Sequence, residues 1–211
     1  MEDPLILESI LVARRNWNNW RDVFEHGIPI DTNPLLADQT RFAFFCTEYS
    51  VGRTIRAGTQ NKFRIELQRH LSTHIDDDTG RALDCFEHSL RSVFGTGKEE
   101  RKRRIVSALS KVAAFVRPER FVAWDSYAKI GANLVQGRRP SFQFRAYADY
   151  LAAFDNIWSG PTGHQIRGHS GGAQHAIEIE PRFQRRILDV YLMKRGGREL
   201  SGATVTLGIN K

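Results

Sequence analysis

Apolar residues recur with a helical period along most of this 211-residue chain, and alternating strand patterns are almost absent. In residues 5–25 the large apolar side chains stand three or four positions apart, which is the spacing of an amphipathic helix. We predict further helices over residues 40–51, 62–71, 81–93, 99–115, 126–135, 142–154 and 181–194, a Gly/His-rich loop at 159–172, and one short β-like run at 203–207. The pattern therefore predicts a mainly α fold, and the length fits a single domain over 1–211.

The chain carries an excess of positive charge. It has 31 Lys and Arg against 24 Asp and Glu, which gives a net charge of +7 and an isoelectric point near 9.7. Such a balance favours polyanionic partners, with nucleic acid first and an acidic protein or a membrane surface second. The alternative is a basic soluble protein with no polyanionic partner, because net charge reports on partners and not on fold.

Cysteine usage and the N-terminus point to the cytoplasm. Cys46 and Cys85 stand among apolar neighbours, so we expect reduced core thiols, although a disulfide between them stays open. No CxxC or Cys/His ligand spacing is present, and we expect neither a metal site nor a cofactor. No signal-peptide run follows the acidic start and no stretch reaches membrane-spanning length, so we expect no membrane partner.

A lysine and an aspartate form the pair that carries chemistry. Lys111 lies in the apolar helical segment that ends before Pro118, and Asp125 follows 14 residues later at the start of the next helix. A lysine at the edge of an apolar face is partly desolvated, which lowers its pKa and frees a nucleophilic amine. A carboxylate at a helix N-terminus stays ionised and can stabilise a cationic transition state. The structural alternative is an exposed helix lysine and a capping aspartate.

Residues 168–172, Gly-His-Ser-Gly-Gly, match the GxSxG string of serine hydrolases. That motif needs a strand before the serine and a helix after it, with an acid and a histidine further along the chain. The preceding residues form a poor strand and only about 40 residues follow, so we discount a serine hydrolase.

The segment from Lys111-Val112-Ala113 to Trp124-Asp125-Ser126-Tyr127-Ala128 resembles the catalytic segment of helix-hairpin-helix DNA glycosylases. It is most similar to bacterial 8-oxoguanine-glycosylase-like proteins, some of them associated with anti-phage defence. The resemblance covers residues 105–135, within a catalytic segment of about 98–135. It implies a two-lobed helical globule in which Lys111 attacks the sugar C1′ and Asp125 supports the oxocarbenium-like state.

Three features depart from the family pattern. The glycine-rich hairpin before the lysine is missing, since Ser107-Ala108-Leu109-Ser110 stands there, which makes the helix-hairpin-helix segment degenerate. The spacing between lysine and aspartate is shorter, and Trp124 occupies a position that is usually small or aliphatic. Side chains must then grip the DNA phosphates, and the candidates are Lys98, Arg101, Lys102, Arg103, Arg104, Arg53, Arg56, Arg138 and Arg139.

The resemblance thus implies a DNA glycosylase, with AP-lyase activity through a Schiff base, that excises a damaged or modified base flipped out of the duplex. We expect Trp124, Phe45 and Tyr49 to stack on that base. One alternative is a catalytically inactive, basic DNA-binding module. Another is a subunit of a defence or repair complex that uses the aromatic residues of 141–158 as an interface.

Overall fold

The structure is a computed structural model that describes residues 3–24, 28–56, 58–73, 79–94, 105–171 and 180–199. The described part is mainly helical, which confirms the predicted α class. Its helices are α1 (Pro4–Asn19), α2 (Pro34–Ala37), α3 (Gln39–Glu48), α4 (Gln60–Thr73), α5 (Thr79–Phe94), α6 (Val106–Val116), α7 (Ser126–Val135), α8 (Tyr147–Ser159), α9 (Pro161–Gly171) and α10 (Pro181–Arg195).

Side-chain caps set where several of these helices begin. The carboxylates of Asp3, Asp38 and Asp125 accept backbone N–H groups in the first turns of α1, α3 and α7. The Asn33 side chain does the same for α2. These bonds satisfy amides that have no partner inside the helix, so the helix starts are encoded locally.

Helix α5 fixes the starts of two other helices through its own carboxylates. The Asp84 side chain accepts from the backbone N–H of Tyr147 at 2.9 Å and of Ala148 at 3.0 Å, where α8 begins. The fully buried Glu87 accepts from Ile105 N at 2.9 Å, next to the start of α6, and pairs with Arg91. These long-range caps tie α6 and α8 to α5.

Helix α6 is the centre of the core. Of its eleven residues, nine are buried, and Lys111 is one of the two that are not. Phe115 contacts the rings of Trp20, Phe45 and Tyr49 at centroid distances of 4.6–5.9 Å. This aromatic cluster joins α6 to α3 and to the turn after α1.

Helices α7 and α10 pack with their backbones in close contact. A Cβ built on Gly131 would lie 2.0 Å from Leu192 O, and one on Gly196 would lie 2.0 Å from Tyr127 O. Only glycine permits this approach. The contact at Gly196 holds the chain that follows α10 against the N-terminus of α7.

Several of the predicted elements differ from the observed helices. The first helix ends at Asn19, and residues 20–24 form turns. Helix α8 runs Tyr147–Ser159 and not over 142–154, because its start is fixed by Asp84. The predicted loop 159–172 contains helix α9, whose Ile166 is fully buried and whose Arg167 donates to Trp158 O at 2.8 Å. The β-like run 203–207 lies outside the described residues.

The two cysteines differ in their surroundings. Cys46 is buried, as expected, and burial raises the pKa of its thiol to about 12. Cys85 is exposed on α5, which corrects the expectation of a core position, and both thiols are free. Among the described residues, no helix is both long enough and apolar enough to cross a bilayer.

Candidate active site

The amine of Lys111 lies at the C-terminus of α3. Its Nζ donates a hydrogen bond of 2.9 Å to the carbonyl oxygen of Tyr49, the residue that ends that helix. A carbonyl at a helix C-terminus has no partner inside the helix and carries the negative end of the helix dipole. This hydrogen bond fixes the position of the amine. A neutral amine can donate the same hydrogen bond as an ammonium group does.

Burial shifts the proton equilibrium of this lysine. Desolvation is the main cause that lowers the pKa of Lys111, and the positive charges of Arg198 and Arg53 lower it further. The carboxylates of Asp125 and Asp189 act in the opposite direction. The net result is a lowered pKa, which increases the fraction of free amine near neutral pH.

Asp125 is held by an extended segment whose backbone is bound by side chains. The Tyr147 hydroxyl donates to Val122 O and accepts from Val122 N, both at 2.9 Å, and Trp124 N donates to Ser110 Oγ at 2.8 Å. The segment then enters α7, where Asp125 Oδ1 accepts from Tyr127 N at 2.9 Å. Asp125 is therefore placed by α6 and α8 together and is only 9 % exposed.

The second oxygen of Asp125 is bound by an arginine from the far end of the described chain. Arg198 Nη1 donates to Asp125 Oδ2 at 3.1 Å. Arg198 follows α10 and is placed there by the Gly196 contact with Tyr127. The carboxylate thus has one structural bond to its own helix and one to a cation that is itself 40 % exposed.

Lys111 and Asp125 line the same cavity, which has a volume of about 430 Å³. Its walls come from α1, the end of α3, α6, the segment before α7, and α10 with the residues after it. The cations at the wall are Arg15, Lys111, Arg186 and Arg198, and the carboxylates are Glu48, Asp125 and Glu199. The volume and the mixture of apolar and converging charged groups are typical of a small-ligand site.

A buried ion pair on α10 contributes Arg186 to the cavity wall. Arg186 pairs with Asp189 one turn further along the helix, and both are more than nine-tenths buried. The Arg186 guanidinium also lies 5.1 Å from the centre of the Phe115 ring. Burial raises the pKa of Asp189 to about 6, although Arg186 favours the charged form.

The structure brings together three of the five residues that the sequence assigned to catalysis and base stacking. Lys111, Asp125 and Tyr49 line the cavity. Phe45 is completely buried, and Trp124 packs against Tyr150 and Lys129; neither lines the cavity. Their core positions do not fit the predicted stacking on a flipped base, and Tyr49 is the remaining candidate.

The predicted phosphate ligands fall into three groups. Lys98, Arg101, Lys102, Arg103 and Arg104 lie outside the described residues. Arg53 and Arg56 are exposed, and Arg53 is close enough to Lys111 to influence it electrostatically. Arg138 and Arg139 are exposed beyond the C-terminus of α7, at the end of that helix opposite Asp125.

Sequence reasoning missed Arg186 and Arg198. The signal for Arg186 is a polar pair at i and i+3, Arg186 and Asp189, inside a helix whose other inward positions are apolar except for Gln184. No local pattern marks Arg198, because its partner Asp125 is 73 positions away.

Two other kinds of site can be assessed from the described residues. Within these ranges, no group of three or more His, Cys, Asp or Glu side chains is arranged to hold a metal ion. Gly168 to Ser170 of the GxSxG string lie inside helix α9 and not at a turn between a strand and a helix, which agrees with discounting a serine hydrolase.

Comparison with family models, curated proteins and solved structures finds no match for this chain.

Proposed function

We propose that this protein is a DNA glycosylase with AP-lyase activity, in which Lys111 is the nucleophile and Asp125 is the supporting carboxylate. The observation that carries the proposal is their meeting at one cavity: a partly buried lysine with a lowered pKa and a nearly buried carboxylate line the same 430 Å³ space. The basic composition supplies the attraction for DNA. The two-lobed architecture implied by the resemblance belongs to this proposal.

The chemistry assigns one role to each side chain. The neutral Lys111 amine attacks C1′ of the flipped nucleotide, the bond from C1′ to the base breaks, and the base leaves with the electron pair and takes up a proton. Asp125 stabilises the positive charge that develops on the sugar. The C1′–O4′ bond then breaks and opens the sugar ring, O4′ takes up a proton from the nitrogen, and a Schiff base remains between Nζ and C1′. Loss of a C2′ proton and of the 3′ phosphate by β-elimination then nicks the strand.

The cavity offers the flipped base two aromatic side chains and several charged side chains as neighbours. Tyr49 and Phe115 are the aromatic side chains at the wall, and Arg186 and Arg198 add hydrogen-bond donors. A base is recognised in such a pocket by stacking and by hydrogen bonds to its polar edge. Phosphate contacts from Arg53, Arg56 and the run from Lys98 to Arg104 complete the proposal.

A second candidate is a DNA-binding module without catalysis. The observation that favours it is that both groups already have structural partners: Lys111 binds the end of α3, and Asp125 caps α7 and binds Arg198. In such a module these contacts stabilise the fold and carry no chemistry.

Borohydride trapping separates the two candidates. The full chain is incubated with a duplex that carries one abasic site in the presence of sodium borohydride, and the covalent adduct is scored on a denaturing gel. The glycosylase–lyase predicts an adduct that is lost in Lys111→Ala. DNA binding without any adduct supports the second candidate. Release of abasic sites from modified and unmodified genomic DNA then identifies the target base.

A further inference from the structure

The loop between α7 and α8 presents an exposed aromatic ring among arginines. We call residues 137–145 the Phe142 loop. The Phe142 side chain is 47 % exposed, and Arg138, Arg139 and Arg145 on the same loop are also exposed. The Arg138 guanidinium carbon lies 5.0 Å from the centre of the Phe142 ring, and the Phe144 ring meets Phe142 edge-to-face.

This loop is held in one conformation by α7. Gly137 adopts a left-handed φ of +67°, its N–H donates to Leu134 O at 3.2 Å, and Arg138 N donates to Asn133 O at 2.8 Å. This pair of bonds is the Schellman arrangement that ends helices. The fully buried Asn133 side chain donates to Pro140 O and Phe142 O at 3.3 and 3.0 Å. Phe142 is therefore displayed by a fixed backbone, which reduces the entropy lost when a ligand binds.

The charge around the loop has a single sign over a long stretch. Residues 126–148 contain one lysine, three arginines and no carboxylate. The next acidic residue, Asp149, is engaged in capping, since its Oδ2 accepts from Ala146 N at 3.1 Å. Exposed aromatic rings within such a basic surface are typical of proteins that stack unpaired bases while cations bind the backbone.

We propose that the Phe142 loop is a single-strand nucleic-acid site, in which an unpaired base stacks on Phe142 and Arg138 and Arg139 bind the adjacent phosphates. An arginine stacked on a ring keeps its N–H edges available for a phosphate. Helix α7 spans about 16 Å between Asp125 and the loop, from its rise per residue. That distance equals roughly five base steps at 3.4 Å each. A base bound at the loop would therefore lie about five nucleotides along the strand from the base bound in the cavity. The site rests on the proposed function for DNA as the substrate, but its binding requires no chemistry.

The experiment measures binding of a fluorescein-labelled oligothymidylate of about 12 nucleotides, within the range of known single-strand site sizes. Fluorescence anisotropy across a salt series is recorded for the wild type and for Phe142→Ala. Loss of one stacked base should weaken binding about 5- to 150-fold, from the usual contribution of base–aromatic stacking. The salt slope should stay unchanged, because no phosphate contact is removed.

Further variants separate the ring from the charges. Phe142→Trp should retain the affinity, and Phe142→Leu should lose it, which keeps the test valid if the alanine variant does not fold. The double variant Arg138→Gln with Arg139→Gln should flatten the slope of log affinity against log salt by about 1.4 units. The matched control is Ile65→Ala, which removes a 49 % exposed apolar side chain from α4 and should change neither quantity.

Two outcomes would overturn the inference. One is a folded Phe142→Ala protein that binds the oligonucleotide within twofold of the wild type. The other is a wild type that self-associates in sedimentation, together with a Phe142→Ala variant that no longer does so and keeps its DNA affinity. That result would show that the loop is a protein interface. Failure of the proposed enzymatic function is distinguishable: absence of a borohydride adduct, together with weakened binding in Phe142→Ala, leaves the single-strand site standing.

Discussion

Arg198 donates a hydrogen bond to the carboxylate of Asp125 at 3.1 Å and thereby connects the last described segment of the chain to the start of α7. Asp125 also caps α7 through its other oxygen. The same arginine lowers the pKa of Lys111, whereas Asp125 raises it. This ion pair therefore influences both the position of the carboxylate and the protonation of the amine.

Replacing Lys111 tests the nucleophile directly. Lys111→Ala should abolish the borohydride adduct and leave DNA affinity within about twofold, because one of 31 cations contributes little to phosphate attraction. Lys111→Arg is the matched control, since it keeps the charge but cannot form the imine. In the wild type, the trapping rate should rise with pH through the lowered pKa of Lys111, as the free amine forms. An adduct of normal yield in Lys111→Ala would refute this assignment.

Replacing Asp125 separates its chemical role from its structural role. Asparagine caps helices as well as aspartate does, so Asp125→Asn should keep the bond to Tyr127 N and lower the free energy of unfolding by about 1 kcal/mol or less. Removal of the negative charge should slow single-turnover excision by about a hundredfold or more. Urea denaturation and quench-flow excision assays measure the two quantities. A variant with normal excision would show that Asp125 acts only as a cap.

The close contact at Gly196 should be required for the site. In Gly196→Ala, the new Cβ would clash with Tyr127 O and displace the segment that carries Arg198. We expect a loss of about 1–3 kcal/mol in stability and a reduced trapping rate. Gly168→Ala is the control, because its Cβ would meet nothing within 4 Å and alanine favours the helix. Equal behaviour of the two variants would contradict this role for Gly196.

Asp189 should make the stability of the fold depend on pH. The pKa of Asp189 is raised from 3.8 to about 6 in the folded state. The stabilisation that the protonated carboxyl gives the fold is therefore fully present below pH 3.8 and is lost as the pH rises through 6. The wild type should therefore lose roughly 1–3 kcal/mol relative to Asp189→Asn between pH 4 and pH 7. Urea denaturation of both proteins at each pH measures the difference. A difference that does not vary with pH would show that Asp189 stays ionised.

Glu87 should be a large contributor to stability although it lies away from the cavity. Its buried carboxylate accepts from Ile105 N and pairs with Arg91, so Glu87→Ala leaves both groups without this acceptor. We expect a loss of about 1–3 kcal/mol, because the buried Ile105 N–H loses its acceptor, whereas the partly exposed Arg91 remains solvated. Glu87→Gln should lose less, because an amide oxygen can still accept from Ile105 N. A loss below 1 kcal/mol in Glu87→Ala would indicate that water replaces the carboxylate.

The sequence determined the elements whose signals are local. The helical class follows from apolar periodicity, and the starts of α1, α3 and α7 follow from Asp3, Asp38 and Asp125, which bind amides only two or three residues away. The sequence also singled out Lys111 and Asp125, because one lies on an apolar helix and the other caps the next helix along the chain, and both line the same cavity.

Tertiary structure alone decided the rest. Helix α9 forms in a glycine-rich segment because Ile166 is buried and Arg167 binds Trp158, and this packing outweighs a weak local propensity. The start of α8 depends on Asp84, 63 positions away. The cavity wall depends on Arg186 and Arg198, which α10 brings to Lys111 only because glycines let it pack directly on α7. Residues distant in sequence meet through such contacts, and no local pattern encodes them.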